Sequence, residues 1–395
     1  MISRPSGPVF DADQHYYEPT DAFTRHLPRA WAARTVQEVK VGKRTRFLVG
    51  GKINEAVTNP TFDPIVKPGA MTSYFRGNPE KKTLAECLAD REPIPAYYRD
   101  RDARIAKMDA QGVQFVWMLP TLGMAYEEDL QEDPEAAGVA FKAFNRWLLD
   151  DWGYNYKDRI FSPPYLAMGD REACLEEVEF GLANGARTFV VRPCGVYTKD
   201  GWRSPADPWF DPIWARIEEA GATVIPHIAE VGGNGLDRFV PTEIKGIIGT
   251  EPSALQIAVG HERPIANYLS ALVCDRLFER FPKLHIASIE NGAEFLPLVV
   301  AGLKRASYQR PNYFKEDPVE MFKRNIWVAP FWEDSLSEAV GYIGAERVLF
   351  GSDWPHPEGM YEPLDYLDTV AELKDASAER QIMYKNAAYL TGLAA

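Results

Sequence analysis

Asp11, Asp13 and His15 occupy alternate positions of Val9-Phe10-Asp11-Ala12-Asp13-Gln14-His15, an apolar run that reads as a strand. Side chains alternate across a strand, so the three project from one face, with Phe10, Ala12 and Gln14 on the other. Charged groups are rarely buried unless they are paired or bind a metal, and a divalent cation suits two carboxylates and an imidazole together. The pattern returns near the other end. Arg347-Val-Leu-Phe-Gly-Ser-Asp353-Trp-Pro-His356 is again an apolar run that closes in Asp and then His. If both strands belong to one barrel, their ends meet at one metal site.

Other strand ends add candidates. His227 closes Thr223-Val-Ile-Pro-His227, and Glu290 closes Leu284-His285-Ile-Ala-Ser-Ile-Glu290 just before Asn291-Gly292. His285 has the opposite parity to Glu290, so it is expected to face the helix layer while Glu290 faces the lumen. Arg192 ends Phe189-Val-Val-Arg192-Pro193, where a guanidinium suits bidentate binding of a substrate carboxylate. No lysine ends that strand, which removes a carbamylated-lysine bridge between two metals. His261, in the loop Gly260-His261-Glu262-Arg263-Pro264, is expected to reach over the mouth as a substrate contact. His26, beside Leu27-Pro28, reads as structural.

The elements that must position these groups recur along the chain. Short β-like runs are expected at 8–15, 112–119, 160–166, 186–193, 222–228, 284–290, 325–329 and 347–353, with amphipathic helices between them that close on Gly or Pro. Eight alternating units with nearly continuous apolar strands predict a parallel (β/α)8 barrel, distorted, in a single domain spanning 1–395. An open doubly wound sheet is the alternative, but nothing like GxGxxG follows the first strand. Residues 16–100 form a long insertion after the first strand, with a β-hairpin of 35–41 and 45–49 around Gly42-Lys43. Residues 229–268, rich in Gly and Pro, form a second long excursion. Both leave from the strand ends where such barrels keep their active sites.

Composition narrows the partners. The net charge of −13, without any basic run, argues against nucleic acid or an anionic membrane. The longest apolar stretches, such as Phe295 to Leu303, are too short to span a bilayer, and the opening residues hold no apolar leader core. Cys87, Cys174, Cys194 and Cys274 are widely spaced and form no CxxC, so they are expected as reduced thiols in a cytoplasmic protein.

Together, the order of strand-end ligands, Phe281-Pro-Lys-Leu followed by Ser288-Ile-Glu290-Asn-Gly292, and Phe350-Gly-Ser-Asp353-Trp-Pro-His356 resemble the amidohydrolase-2 branch of the amidohydrolase superfamily. That branch includes aminocarboxymuconate-semialdehyde decarboxylase and the hydroxybenzoate decarboxylases. The resemblance covers nearly the whole chain and implies a distorted TIM barrel with a divalent metal. It places the first-strand His-x-His on Asp13 and His15, the fifth-strand His on His227 and the last Asp on Asp353. The sixth-strand His used in acid–base work falls on Glu290. Two histidines are thus replaced by carboxylates, which makes the site harder and brings Mn or Fe beside Zn, the first choice.

The metal candidates are Asp13, His15, His227, Glu290, Asp353 and His356. A tetrahedral site needs about three protein ligands, so one or two ions fit. The first expectation is a metal-dependent hydrolase or non-oxidative decarboxylase of a small organic carboxylate. Asp353 or Glu290 would be the base, and Arg192 would fix the carboxylate. A second reading is a dinuclear Fe or Mn oxygen-activating hydroxylase of the 2-aminoisobutyrate hydroxylase type. A third is a non-catalytic subunit of a hetero-oligomer; a homo-oligomer or a pairing with a paralogous subunit is expected in any case.

Overall fold

The computed structural model describes residues 5–231, 253–259 and 262–393. Strand β1 (Phe10–His15) is buried at every residue. Residues 16–100 then hold antiparallel pieces: β2 (Val36–Val41), β3 (Arg44–Val49) and β4 (Lys52–Ile53) form one sheet, and β5 (Ile65–Val66) pairs with β6 (Arg91–Glu92). Val41 pairs with Arg44, so the β2–β3 turn is Gly42-Lys43, as the hairpin pattern predicts. Parallel strands resume with β7 (Phe115–Leu119), β8 (Ile160–Phe161) and β9 (Thr188–Val191). After a small β10 (Val196–Thr198)–β11 (Gly201–Arg203) hairpin come β12 (Thr223–Pro226), β13 (His285–Ser288) and β14 (Ile326–Val328).

The parallel strands form two sheets, ordered β1-β7-β8 and β14-β13-β12-β9. The sheets meet through Tyr165, which bridges Val190, with Leu166 N donating to Val190 O at 2.9 Å. On the far side Val348 bridges Val328, and Phe350 O accepts from Ala12 N at 2.8 Å. The eighth expected run, 347–353, is therefore extended between β14 and β1 but forms no full strand. The chain's C-terminal part takes some of its backbone groups instead: Phe350 N donates to Ile382 O, and Val348 O accepts from Asn386 Nδ2. β8 also stops short of the expected 160–166, because Pro163 and Pro164 offer no N–H to a ladder.

Helices form and stop where capping chemistry says they should. Asp100 caps the helix Arg101–Gln111 by accepting from Ala103 N, and Gly112 ends it at φ 74°, a left-handed position that an L side chain resists. Of the expected excursion at 229–268, most residues lie outside those described. Its end is not loop, since a helix with Pro264 in its first turn runs from Arg263 to Cys274. Among the described residues no helix is long and apolar enough to cross a membrane. The four cysteines are free.

Candidate metal centre

β1 delivers the first two groups: Asp13 is 3% exposed and His15 is fully buried. His227 follows β12 by one residue and is held there by a bridge to Ile289. Its Nδ1 lies 2.9 Å from Ile228 O and donates there, which leaves Nε2 facing the carboxylates of the cluster. Glu290 and Asp353 arrive differently. Both have left-handed backbones at φ 55°, costing on the order of 1–2 kcal/mol each for a residue with a Cβ. The reversal turns each carboxylate inward just past its extended run.

The side chains converge tightly. His15 Nε2 lies 3.2 Å from Asp13 Oδ1, 3.2 Å from Glu290 Oε2 and 3.3 Å from Asp353 Oδ1. His227 Nε2 lies 3.0 Å from Glu290 Oε2 and 3.8 Å from Asp13 Oδ1. Two four-residue groups each bring their ligand atoms within 4.8 Å of one another: Asp13, His15, His227 and Glu290, and His15, Glu290, Asp353 and His356. Asp13, His15, His227 and Asp353, expected in one coordination sphere, thus divide between two groups that share His15 and Glu290.

The donor set fits a cation. Asp13 Oδ1, His15 Nε2, His227 Nε2 and Glu290 Oε2 are all buried, and none forms a hydrogen bond of acceptable geometry despite the short ion-pair distances. Four buried polar atoms left this way are costly unless something else joins them. Nitrogen and oxygen donors of this mix suit Zn, Mn or Fe. His356 differs, since both its ring nitrogens are engaged. Nδ1 is 2.7 Å from Asp353 Oδ1, and Nε2 is 3.0 Å from Thr121 Oγ1. In this arrangement it orients Asp353.

Charge is crowded here. Burial lowers His15, but Asp13, Asp353 and Glu290 outweigh it and hold the imidazole well above its usual range. Burial is outweighed at His227 too, where Glu290 and Asp13 lift the ring to about 9. Burial and then the nearby Glu290 push Asp353 well up, whereas His356 falls to about 4 through burial and the neighbouring His15. For Glu290, burial would raise the carboxyl, but His227 and His15 hold it below the usual range. Protons on two imidazoles hold this cluster together, and those are the protons a divalent cation displaces.

Two expected residues lie elsewhere. Asp11 does not share the face of Asp13: the β1–β7 register shifts between Asp11 and Gln14, which breaks the alternation. Its carboxylate turns instead to Ser352, and burial pushes it up to about 7. Arg192 is buried away from the cluster, with Nε 2.9 Å from Glu127 and Nη1 2.7 Å from Glu128. Both carboxylates come from the helix Gly123–Leu130, and they already take the guanidinium that was expected to meet substrate. His261 lies outside the described residues. His285 faces outward as its parity predicts, against Trp327 and Tyr389.

Sequence reasoning missed the pocket walls. The pocket over the cluster is lined by apolar Ala56, Val57, Pro120 and Met124 together with His15, His227, Glu290 and His356. Glu358 also lines it. Its place two residues after His356, in the same turn, was the available signal. Ala56 and Val57 carried none, because no periodicity ties residues 16–100 to the strand ends.

With that geometry in view, a profile described as Amidohydrolase matches residues 88–393. The chain belongs to the amidohydrolase family. A crystal structure of an amidohydrolase from Mycobacterium avium subsp. paratuberculosis K-10 superposes with a TM-score of 0.92 at 39% identity, covering 98% of this chain and all of that one. The chain is also similar to 2-amino-3-carboxymuconate-6-semialdehyde decarboxylase of Dictyostelium discoideum, 24% identical over 194 residues, which are 47% of this chain. That match spans about half (49%) of the decarboxylase. A dihydroxybenzoic acid decarboxylase from Polaromonas sp. JS666, with bound manganese and the inhibitor 2-nitroresorcinol, shares the fold at TM-score 0.59 and 18% identity, over 82% of this chain and 93% of that one.

Proposed function

We propose that this amidohydrolase is a metal-dependent, non-oxidative decarboxylase of small aromatic carboxylates. The observation that carries the reading is the set of four buried ligand atoms that point at one another without hydrogen bonds. Asp13, His15, His227 and Glu290 would hold the cation. When bound, that ion supplies a positive charge for the substrate's oxygen atoms. The apolar wall of Ala56, Val57, Pro120 and Met124 gives a planar ring a surface to lie on, facing the polar cluster. Asp353 and His356, 2.7 Å apart, are the pair placed to hand a proton to the ring carbon as the carboxylate departs as CO2. The decarboxylases similar to this chain support that substrate class.

The fold reading belongs with this proposal. The seven parallel strands and the extended Val348–Phe350 segment close as a distorted (β/α)8 barrel in one domain, with residues 16–100 as an insertion that walls the pocket. Arg192 then serves the wall, by tying the helix Gly123–Leu130 to Glu230 O at 3.1 Å.

The test is CO2 release from a panel of hydroxybenzoates by protein stripped with chelator and reloaded with Mn or Zn. Metal-dependent release with ring deuteration in D2O is expected. Ester or lactone cleavage without CO2 release from any benzoate would instead assign hydrolysis to the site. The two ligand groups sharing His15 and Glu290 favour a second reading, a dinuclear Fe or Mn hydroxylase. Two metal equivalents per chain and oxygen consumption would select it.

A further inference from the structure

Asp11 sits in the middle of a buried network that touches no candidate ligand atom. Its Oδ1 accepts from Ser352 N at 2.9 Å and from Asp13 N at 3.2 Å. Its Oδ2 accepts from Ser352 Oγ at 2.6 Å and from Gln14 Nε2 at 2.9 Å. Four donors on one carboxylate use its full accepting capacity. Ser352 Oγ in turn accepts from Trp354 N at 3.1 Å, so the hydroxyl is fixed from both sides. The other end of Gln14 continues outward: its Oε1 accepts from Arg104 Nη1 at 3.2 Å, while Arg104 Nη2 donates to His15 O at 2.6 Å. Asp11, Ser352 and Arg104 are all fully buried.

Every bond in this network lands beside a candidate ligand. Ser352 precedes Asp353, the Asp13 N–H belongs to a ligand residue, and the His15 carbonyl belongs to another. Only Gly351 allows the two segments this close, since a Cβ there would lie 2.7 Å from Asp13 Cβ. From this juxtaposition we propose that Asp11 is a positioning residue, a clasp between the first strand and the Ser352–Asp353 turn that sets the spacing of Asp13, His15 and Asp353 for the cation. The inference rests on the metal-centre reading above. It concerns geometry: a carboxylate outside the coordination sphere fixes the distance between ligands that arrive more than 300 residues apart in sequence (|i−j| = 341 for the Ser352–Asp11 bond).

The test titrates chelator-stripped full-length protein with Mn2+ alone, following loss of the free-ion EPR signal and the spectrum of the bound ion. Asp11→Asn puts an amide donor among four donors, and removal of outer partners typically weakens metal binding about 10–100-fold. That loss is expected, with an altered bound-ion spectrum. Ser352→Ala removes one donor and should weaken binding several-fold in the same direction. The double variant should bind little worse than Asp11→Asn, because both break one contact. A merely structural role would lower the unfolding temperature of the metal-free protein and leave affinity and spectrum alone. Affinity within twofold of wild type in folded Asp11→Asn overturns the proposal. If that variant does not fold, unchanged affinity in Ser352→Ala overturns it. Wild-type protein that takes up no Mn2+ defeats the metal-centre reading itself, and the clasp with it.

Discussion

Two buried charge clusters stand at strand ends of this protein, and they are finished differently. At Arg192 one guanidinium meets Glu127 and Glu128 within 3 Å, and Glu127 also accepts from the Tyr165 hydroxyl. Opposite charges meet inside the protein, although Arg192 Nε, like the facing atoms of the other cluster, makes no hydrogen bond of good geometry. At His15 three carboxylates crowd one imidazole, and four facing atoms have no hydrogen bond. The two were indistinguishable as isolated strand-end residues. What separates a structural knot from a binding site is whether the protein completes its own electrostatics.

His15→Ala should break the contrast most. It removes one of the two residues common to both ligand groups, so metal uptake should fall by more than the roughly 10–100-fold typical of outer partners. Metal analysis after dialysis against Mn2+ would show this, and retained stoichiometry would remove His15 from the centre.

Arg192→Met should do the reverse. It strands the buried Glu127 without its partner and should cost up to about 3–5 kcal/mol of stability, less from the partly exposed Glu128, read from urea unfolding. Metal affinity of the folded fraction should stay close to wild type. A large loss of affinity at unchanged stability would instead return Arg192 to the reacting centre.

The last expected effect is on pH dependence, and its sign for one group follows from His227. Its metal-free pKa is raised from 6.5 to about 9, so the proton stabilises the metal-free fold fully below pH 6.5 and is lost as pH rises toward 9. Metal must displace that proton, so His227 alone should raise affinity by up to about tenfold per pH unit across this window, on top of the climb from the raised His15. The gap in melting temperature between loaded and stripped protein should widen over the same range. A gap that does not change between pH 6.5 and 9 would mean His227 is neutral without metal.

The sequence was most legible where a single periodicity governs. The apolar runs, the glycine-closed helices and the Gly42-Lys43 hairpin follow from period and turn chemistry, and the structure has them. So does the outward face of His285. Periodicity failed where it was interrupted: the bulge in β1 turns Asp11 away from Asp13, and competition from Ile382 and Asn386 keeps 347–353 from becoming a strand. Long-range partnership was not legible at all. Nothing in Phe189-Val-Val-Arg192 announces a helix 64 residues earlier that neutralises it (|i−j| = 64 for the Arg192–Glu128 bond). Residues of the apolar pocket wall drawn from 16–100 were invisible for the same reason.

The reversed backbone at Glu290 and Asp353 has a further consequence, for which replacements the protein can accept. A left-handed position admits Gly at no cost and Asn or Asp readily, but resists β-branched residues. At these two sites the main chain therefore filters substitutions before the chemistry does. Asp353→Asn keeps the turn while discharging the carboxylate, whereas Asp353→Val should shift the turn and its neighbours together. The main chain at both positions therefore favours Gly, Asn or Asp over most replacements, although Glu290 itself already stands outside that set.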